Sequence, residues 1–151
     1  MYRKLILATG LTLLSSTVFS VSAQEFTTPQ AAVNSYIKGV SEGVGKRVEA
    51  AFQETATIQF FDRRNMFHNY DRNQFVKMVD TGNKWNAKIE ITQLLRTKNA
   101  ANATVEFTWG ENKQHGYVDY LNLIFDGKKW QITSKVAQYV ERESVKNGAV
   151  E

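Results

Sequence analysis

The sequence predicts an α+β fold of three helices and six strands in the order ααββαββββ. Three observations carry this prediction. Helical periodicity is confined to segments before about residue 80. From Trp85 the pattern is β almost to the end of the chain. The stretch from Gly116 to Tyr139, GYVDYLNLIFDGKKWQITSKVAQY, reads as two strands around Asp126-Gly127, a strong hairpin signal, and the rest of the chain is placed to cover it.

A chain of 151 residues suits one domain. Residues 1–23 are set apart as a secretory signal peptide: Arg3 and Lys4 form a basic start, Leu5 to Val18 an apolar core, and Val21-Ser22-Ala23 a small-residue cleavage site. The expected mature domain is 24–151, with a polar tail from about residue 141, exported to a bacterial periplasm or beyond. No later stretch is apolar and long enough to span a bilayer, so no membrane association is expected after cleavage. Nineteen basic residues less Arg3 and Lys4 leave seventeen against fifteen acidic ones, a formal +2. With the two signs interspersed, nucleic acid is not an expected partner. The absence of cysteine excludes disulfides, thiolate catalysis and cysteine-ligated zinc together.

Thr28 is placed to cap the first helix, with Pro29 at its first position and Ala32, Val33, Tyr36, Ile37 and Val40 at helical spacing. A second helix runs from about Lys46 to Gln53 and buries Val48, Ala51 and Phe52. Thr55 to Phe61 alternates as a strand with Ala56, Ile58 and Phe60 on one face. Asp62 to Asn65 is a turn, Met66 to Tyr70 a return strand, and Asp71 caps a third helix from Arg72 to about Asp80. Trp85 to Thr97 is a long strand whose alternation breaks at Leu94-Leu95, the mark of a bulge or bend. Ala101 to Trp109 follows, with Ala103, Val105, Phe107 and Trp109 inward.

The hairpin closes either by a two-residue loop, Asp126-Gly127, or by a four-residue loop, Asp126 to Lys129. Both give one parity: Tyr117, Asp119, Leu121, Leu123, Phe125, Trp130, Ile132, Ser134 and Val136 share the buried face. The opposite face, with Val118, Tyr120, Ile124, Lys135 and Ala137, is mixed, which suggests a second copy of the chain against it. Asp119 is the exception on the apolar face. A carboxylate there must be hydrogen-bonded, protonated or at a wet opening, which makes it a pocket candidate.

Together, this element order and the run Val118-Asp119-Tyr120-Leu121-Asn122-Leu123, followed by Asp126-Gly127-Lys128-Lys129-Trp130-Gln131-Ile132 and Lys135-Val136, resemble the nuclear transport factor 2-like superfamily, in particular its lumazine-binding branch. The resemblance implies three helices packed on a strongly curved, mainly antiparallel, cone-shaped sheet that wraps around them, a pocket at the open end and dimerisation through the outer sheet face. It implies no cofactor and no particular chemistry. In the ketosteroid isomerase-like members a general base follows an Ala-Thr-Val-like strand. Here Ala56-Thr57-Ile58-Gln59 leads to Phe60 instead, which counts against isomerase chemistry. The resemblance also offers Tyr36, on the first helix, the part of a pocket hydroxyl.

The candidate ligand site therefore comprises Tyr36, Phe60, Trp109 and Tyr117 with Asp119 at the edge, suited to a small hydrophobic or aromatic ligand: the rings supply area and the carboxylate orientation. Three functions follow. The first is a non-catalytic exported binding domain. The second is an acid–base enzyme of isomerase, cyclase or dehydratase type, in which His68 and Asp119 are the catalytic pair, or Tyr36 replaces His68. The third is an interaction module whose cavity is filled by its own side chains. Two distant histidines without ligand spacing do not form a metal site, and His115 is expected on a solvent-exposed loop.

Overall fold

The computed structural model describes residues 26–142. The segment 1–23 expected to be a signal peptide and residues 143–151 of the expected tail lie outside the described residues. The elements are α1 (Pro29–Glu42), α2 (Gly45–Ala51), β1 (Phe52–Phe61), β2 (Phe67–Asp71), α3 (Arg72–Val79), β3 (Lys88–Thr97), β4 (Ala100–Trp109), β5 (His115–Phe125) and β6 (Trp130–Glu141). This is the predicted order.

Local chemistry sets the helix ends. The Thr28 hydroxyl accepts from the Ala31 N–H, Pro29 stands in the first turn, and Gly43 ends α1 at φ 66°, a left-handed conformation that glycine adopts without a Cβ penalty. Asp71 and Gln74 form a reciprocal capping box that starts α3. Gly39 allows α2 to approach α1: a Cβ there would stand 2.6 Å from Val48 Cγ2 and 3.0 Å from the Val48 backbone nitrogen.

The six strands form one sheet in the order β2-β1-β6-β5-β4-β3. All neighbours are antiparallel except β1 and β6, which run parallel. The three helices cover the inner face, where Val33, Tyr36, Val48, Phe52, Ile58, Phe75, Val105, Phe107, Leu121 and Ile132 make one core.

Two expectations change in detail, and one of two alternatives is selected. The bulge of β3 lies between Ile91 and Gln93, two residues before the Leu94-Leu95 break, and it turns Leu94 inward while Leu95 stays exposed. Trp85 lies before that strand rather than in it. The hairpin closes by the four-residue loop: Phe125 pairs with Trp130, and the Asp126 carboxylate accepts from the backbone of Lys128 and Lys129.

The largest correction concerns β6. Leu123 pairs with Ile132, as the four-residue loop requires, but Asn122 pairs with Ser134, so Thr133 is an extra residue in the ladder. That bulge reverses the parity of everything after it. Ser134 and Val136, expected inside, turn outward, and Val136 is 51% exposed. Lys135, Ala137 and Tyr139 turn inward and are buried.

Candidate functional site

Four of the five predicted ligand residues line one cavity of about 210 Å³: Tyr36 from α1, Phe60 from β1, and Tyr117 and Asp119 from β5. Trp109 is the fifth. It does not reach the cavity but stacks behind it on Tyr117, with ring centroids 5.8 Å apart, and meets Trp85 edge-on at 5.0 Å. Trp85, Phe75 and Phe107 complete the aromatic wall, and Met78, nearly half exposed, stands at its edge.

Sequence reasoning missed the cavity's cation. Lys135 is buried, and its Nζ lies 3.1 Å from Asp119 Oδ2. The ammonium also faces the rings of Phe75, Phe60 and Tyr36, at 5.3, 5.6 and 5.9 Å from their centroids. No alternation rule finds this residue, because the bulge at Thr133 moves it to the inner face.

Asp119 is 1% exposed. The Tyr36 hydroxyl donates to the same Oδ2 that faces Lys135, so both partners sit on one carboxylate oxygen. Oδ1 has no protein partner. A buried carboxylate oxygen without a hydrogen-bond donor carries a desolvation cost, which the Lys135 ammonium on the same carboxylate offsets in part.

Burial raises the Tyr36 pKa well above its ordinary 10.0, and the Asp119 carboxylate, through its charge and its hydrogen bond, raises it further. Burial also raises Tyr117, with the charges of Asp62 and Asp119 acting in the same direction. Both phenols are held neutral. A group whose pKa is higher folded than unfolded contributes stability that is complete below the unfolded value and lost as pH rises beyond it. We therefore expect the melting temperature to fall above about pH 10, and Tyr36→Phe to make that alkaline fall shallower while lowering the melting temperature at neutral pH. An unchanged slope in a pH-resolved melting series would assign the alkaline loss to other groups.

His68 packs on the Phe60 ring of the cavity wall, but its hydrogen-bond partners do not include Asp119. Its Nε2 lies 3.0 Å from Asp62 Oδ2, its Nδ1 3.3 Å from the Tyr70 hydroxyl, and its ring stacks on Phe60 at 4.7 Å. The hydrogen bond from His68, then that from the Met66 N–H, holds the Asp62 carboxyl below the usual carboxylate range. The proposed His68–Asp119 pair is thus replaced by two separate clusters. His115 is half-buried rather than exposed, with Nδ1 2.8 Å from the Tyr139 hydroxyl. Among the described residues no cluster of histidine and carboxylate side chains is arranged to hold a metal ion.

A six-stranded sheet in this order with three helices on its inner face is the nuclear transport factor 2-like fold. The family model described as "Putative lumazine-binding" matches residues 24–138, and the chain belongs to that family. Among solved structures it is similar to a nuclear transport factor 2-like protein of unknown function from Shewanella baltica, at 20% identity and TM-score 0.63 over 76% of this chain and 92% of that one. A counterpart of unknown function from Methylobacillus flagellatus is 25% identical, with TM-score 0.61 over 74% of this chain and 88% of that one. A ketosteroid isomerase-like protein from Erwinia carotovora atroseptica shares 11% identity and the fold, with TM-score 0.59 over 75% and 94%. No curated protein sequence matches the chain.

Proposed function

We propose that this chain is an exported, dimeric small-molecule-binding protein that holds a flat, mainly apolar molecule in the aromatic cavity without turning it over. The observation that carries the reading is the cavity of about 210 Å³, walled by aromatic rings and carrying one buried carboxylate with an unpartnered oxygen. Its volume is below that of drug-sized pockets, which favours a ligand of one or two rings. Binding is favoured over proton transfer because Asp119 Oδ2 is engaged by both Tyr36 and Lys135, and the nearby imidazole is engaged by Asp62 and Tyr70. Export rests on the basic start, apolar core and cleavage site of residues 1–23. Dimerisation through the outer sheet face is supported by the exposure there of Tyr120, Ile124 and Val136.

Native mass spectrometry of residues 24–151, purified from the host's export compartment, reads the subunit count and any retained molecule in one spectrum. A dimer carrying a discrete extra mass is expected. Asp119→Asn should lose that adduct, and Val136→Glu should yield monomers. Turnover of the recovered molecule by the purified protein, or an adduct unaffected by Asp119→Asn, would overturn the binding reading as stated.

A further inference from the structure

The end of the hairpin formed by β1 and β2 is both apolar and positively charged. Phe61 and Phe67 oppose each other in its last rung, with ring centroids 5.4 Å apart, and residues 62–66 turn the chain beyond them. Phe61 is 39% exposed, Phe67 57%, and Met66 in the turn 50%. Large apolar side chains grouped at one exposed point mark a contact surface. The group is separate from the outer-face residues Tyr120 and Val136. On the ladder, Gln59 pairs with both Asn69 and Val136, and Gln138 pairs with Phe61, so three amides stand between.

The charge of the turn is directed outward. Arg63 and Arg64 are exposed. Among the described residues Arg63 takes part in no ion pair, and Arg64 reaches Asp62 Oδ2 only at 3.9 Å. Asp62, the single acid of the turn, is engaged within the hairpin. Its Oδ1 accepts from the N–H groups of Arg64 and Met66, and its Oδ2 lies 3.0 Å from His68 Nε2. The hairpin end therefore presents two guanidinium groups beside three apolar side chains, on a turn held by its own hydrogen bonds.

We infer that this hairpin end docks on the surface of a bilayer containing anionic phospholipid. Phe61, Met66 and Phe67 enter the boundary between headgroups and acyl chains, and Arg63 and Arg64 meet the lipid phosphates. Lying on a bilayer needs no spanning segment, and no described helix is long and apolar enough to cross one. Size favours a membrane over a protein partner. At about 200 Å² for a large side chain, the three residues expose roughly 300 Å², against about 800 Å² that each side of a stable protein interface buries. A fluid bilayer can close around a small convex point where a rigid protein surface cannot. This docking does not depend on what the cavity holds.

The chain contains no cysteine, so a single one can carry an environment-sensitive fluorophore. The mature protein is labelled with nitrobenzoxadiazole at Met66→Cys, or at Lys128→Cys in the β5–β6 loop at the opposite end of the sheet. Each is titrated with vesicles of phosphatidylcholine alone or mixed with an equal part of phosphatidylglycerol. The Met66→Cys label should brighten and shift to the blue on the mixed vesicles, at least about tenfold more tightly than on phosphatidylcholine, while the Lys128→Cys label stays unchanged. Adding Arg63→Ala with Arg64→Ala should raise the lipid required by about tenfold, and added salt should act in the same direction. Phe61→Ser with Phe67→Ser should weaken vesicle binding and leave the subunit count by native mass spectrometry unchanged. Silence of both labels, a response from the Lys128→Cys label, or a Met66→Cys response indifferent to the two arginines would each overturn the inference. Conversion of dimers to monomers by Phe61→Ser with Phe67→Ser would also overturn it, because a second copy of the chain would then cover the patch.

Discussion

Replacing Lys135 by methionine is expected to lower the unfolding free energy by about 3 kcal/mol, one of the largest losses available to a single substitution in this chain. The physical reason is the carboxylate left behind. Asp119 is 1% exposed, and without Lys135 its charge is held by the Tyr36 hydroxyl alone. Methionine fills nearly the volume of the lysine stem, so little of the loss comes from packing. Removing both charges in the double variant Asp119→Leu with Lys135→Met is expected to recover stability to within about 1 kcal/mol of the native protein, because buried pairs stabilise little over apolar groups of the same shape. Urea unfolding of the four proteins in this cycle provides the check. If the double variant is as unstable as the sum of the singles, the two charges are not coupled.

Trp130→Ala is expected to cost about 3–5 kcal/mol by a different route, the loss of a large buried ring and the cavity it leaves. Trp130 is 1% exposed, pairs across the hairpin with Phe125 and carries the Arg96 guanidinium 5.0 Å over its ring. It belongs to the end of the sheet away from Asp119 and Lys135, with Leu121, Leu123 and Ile132 between. The two substitutions should therefore separate in function. Both lower stability, but only Lys135→Met should reduce the retained mass seen by native mass spectrometry, recorded at a temperature where each variant is folded. Loss of the retained mass in Trp130→Ala by more than about threefold would mean that the cavity depends on the whole sheet rather than on its local side chains.

The parts of this protein readable from its residues are those set within a few positions. Thr28, Pro29 and Gly43 bound the first helix and Asp71 with Gln74 the start of the third, because caps and left-handed ends are satisfied by neighbours in sequence. Asp119 was readable as an inward carboxylate because β5 alternates without interruption from Tyr117 to Leu123. Tyr36 and Phe60 followed from helical and strand periodicity in the same way, and the family resemblance gave their faces a cavity to line.

What those residues meet was settled elsewhere. The extra residue at Thr133 is a mismatch between β6 and its neighbour, not a property of β6 alone, so no pattern within that strand announces that Lys135 turns inward. The same holds for His68. Its strand neighbours were legible but not its partner, which the turn carrying Asp62 back over the end of β2 supplies in place of Asp119. By itself the sequence determined the elements, their order and the buried carboxylate, each a matter of local alternation and capping. Only the tertiary structure decided that a lysine neutralises that carboxylate from one side and leaves Oδ1 unmet, because strand register is set between chain segments far apart in sequence.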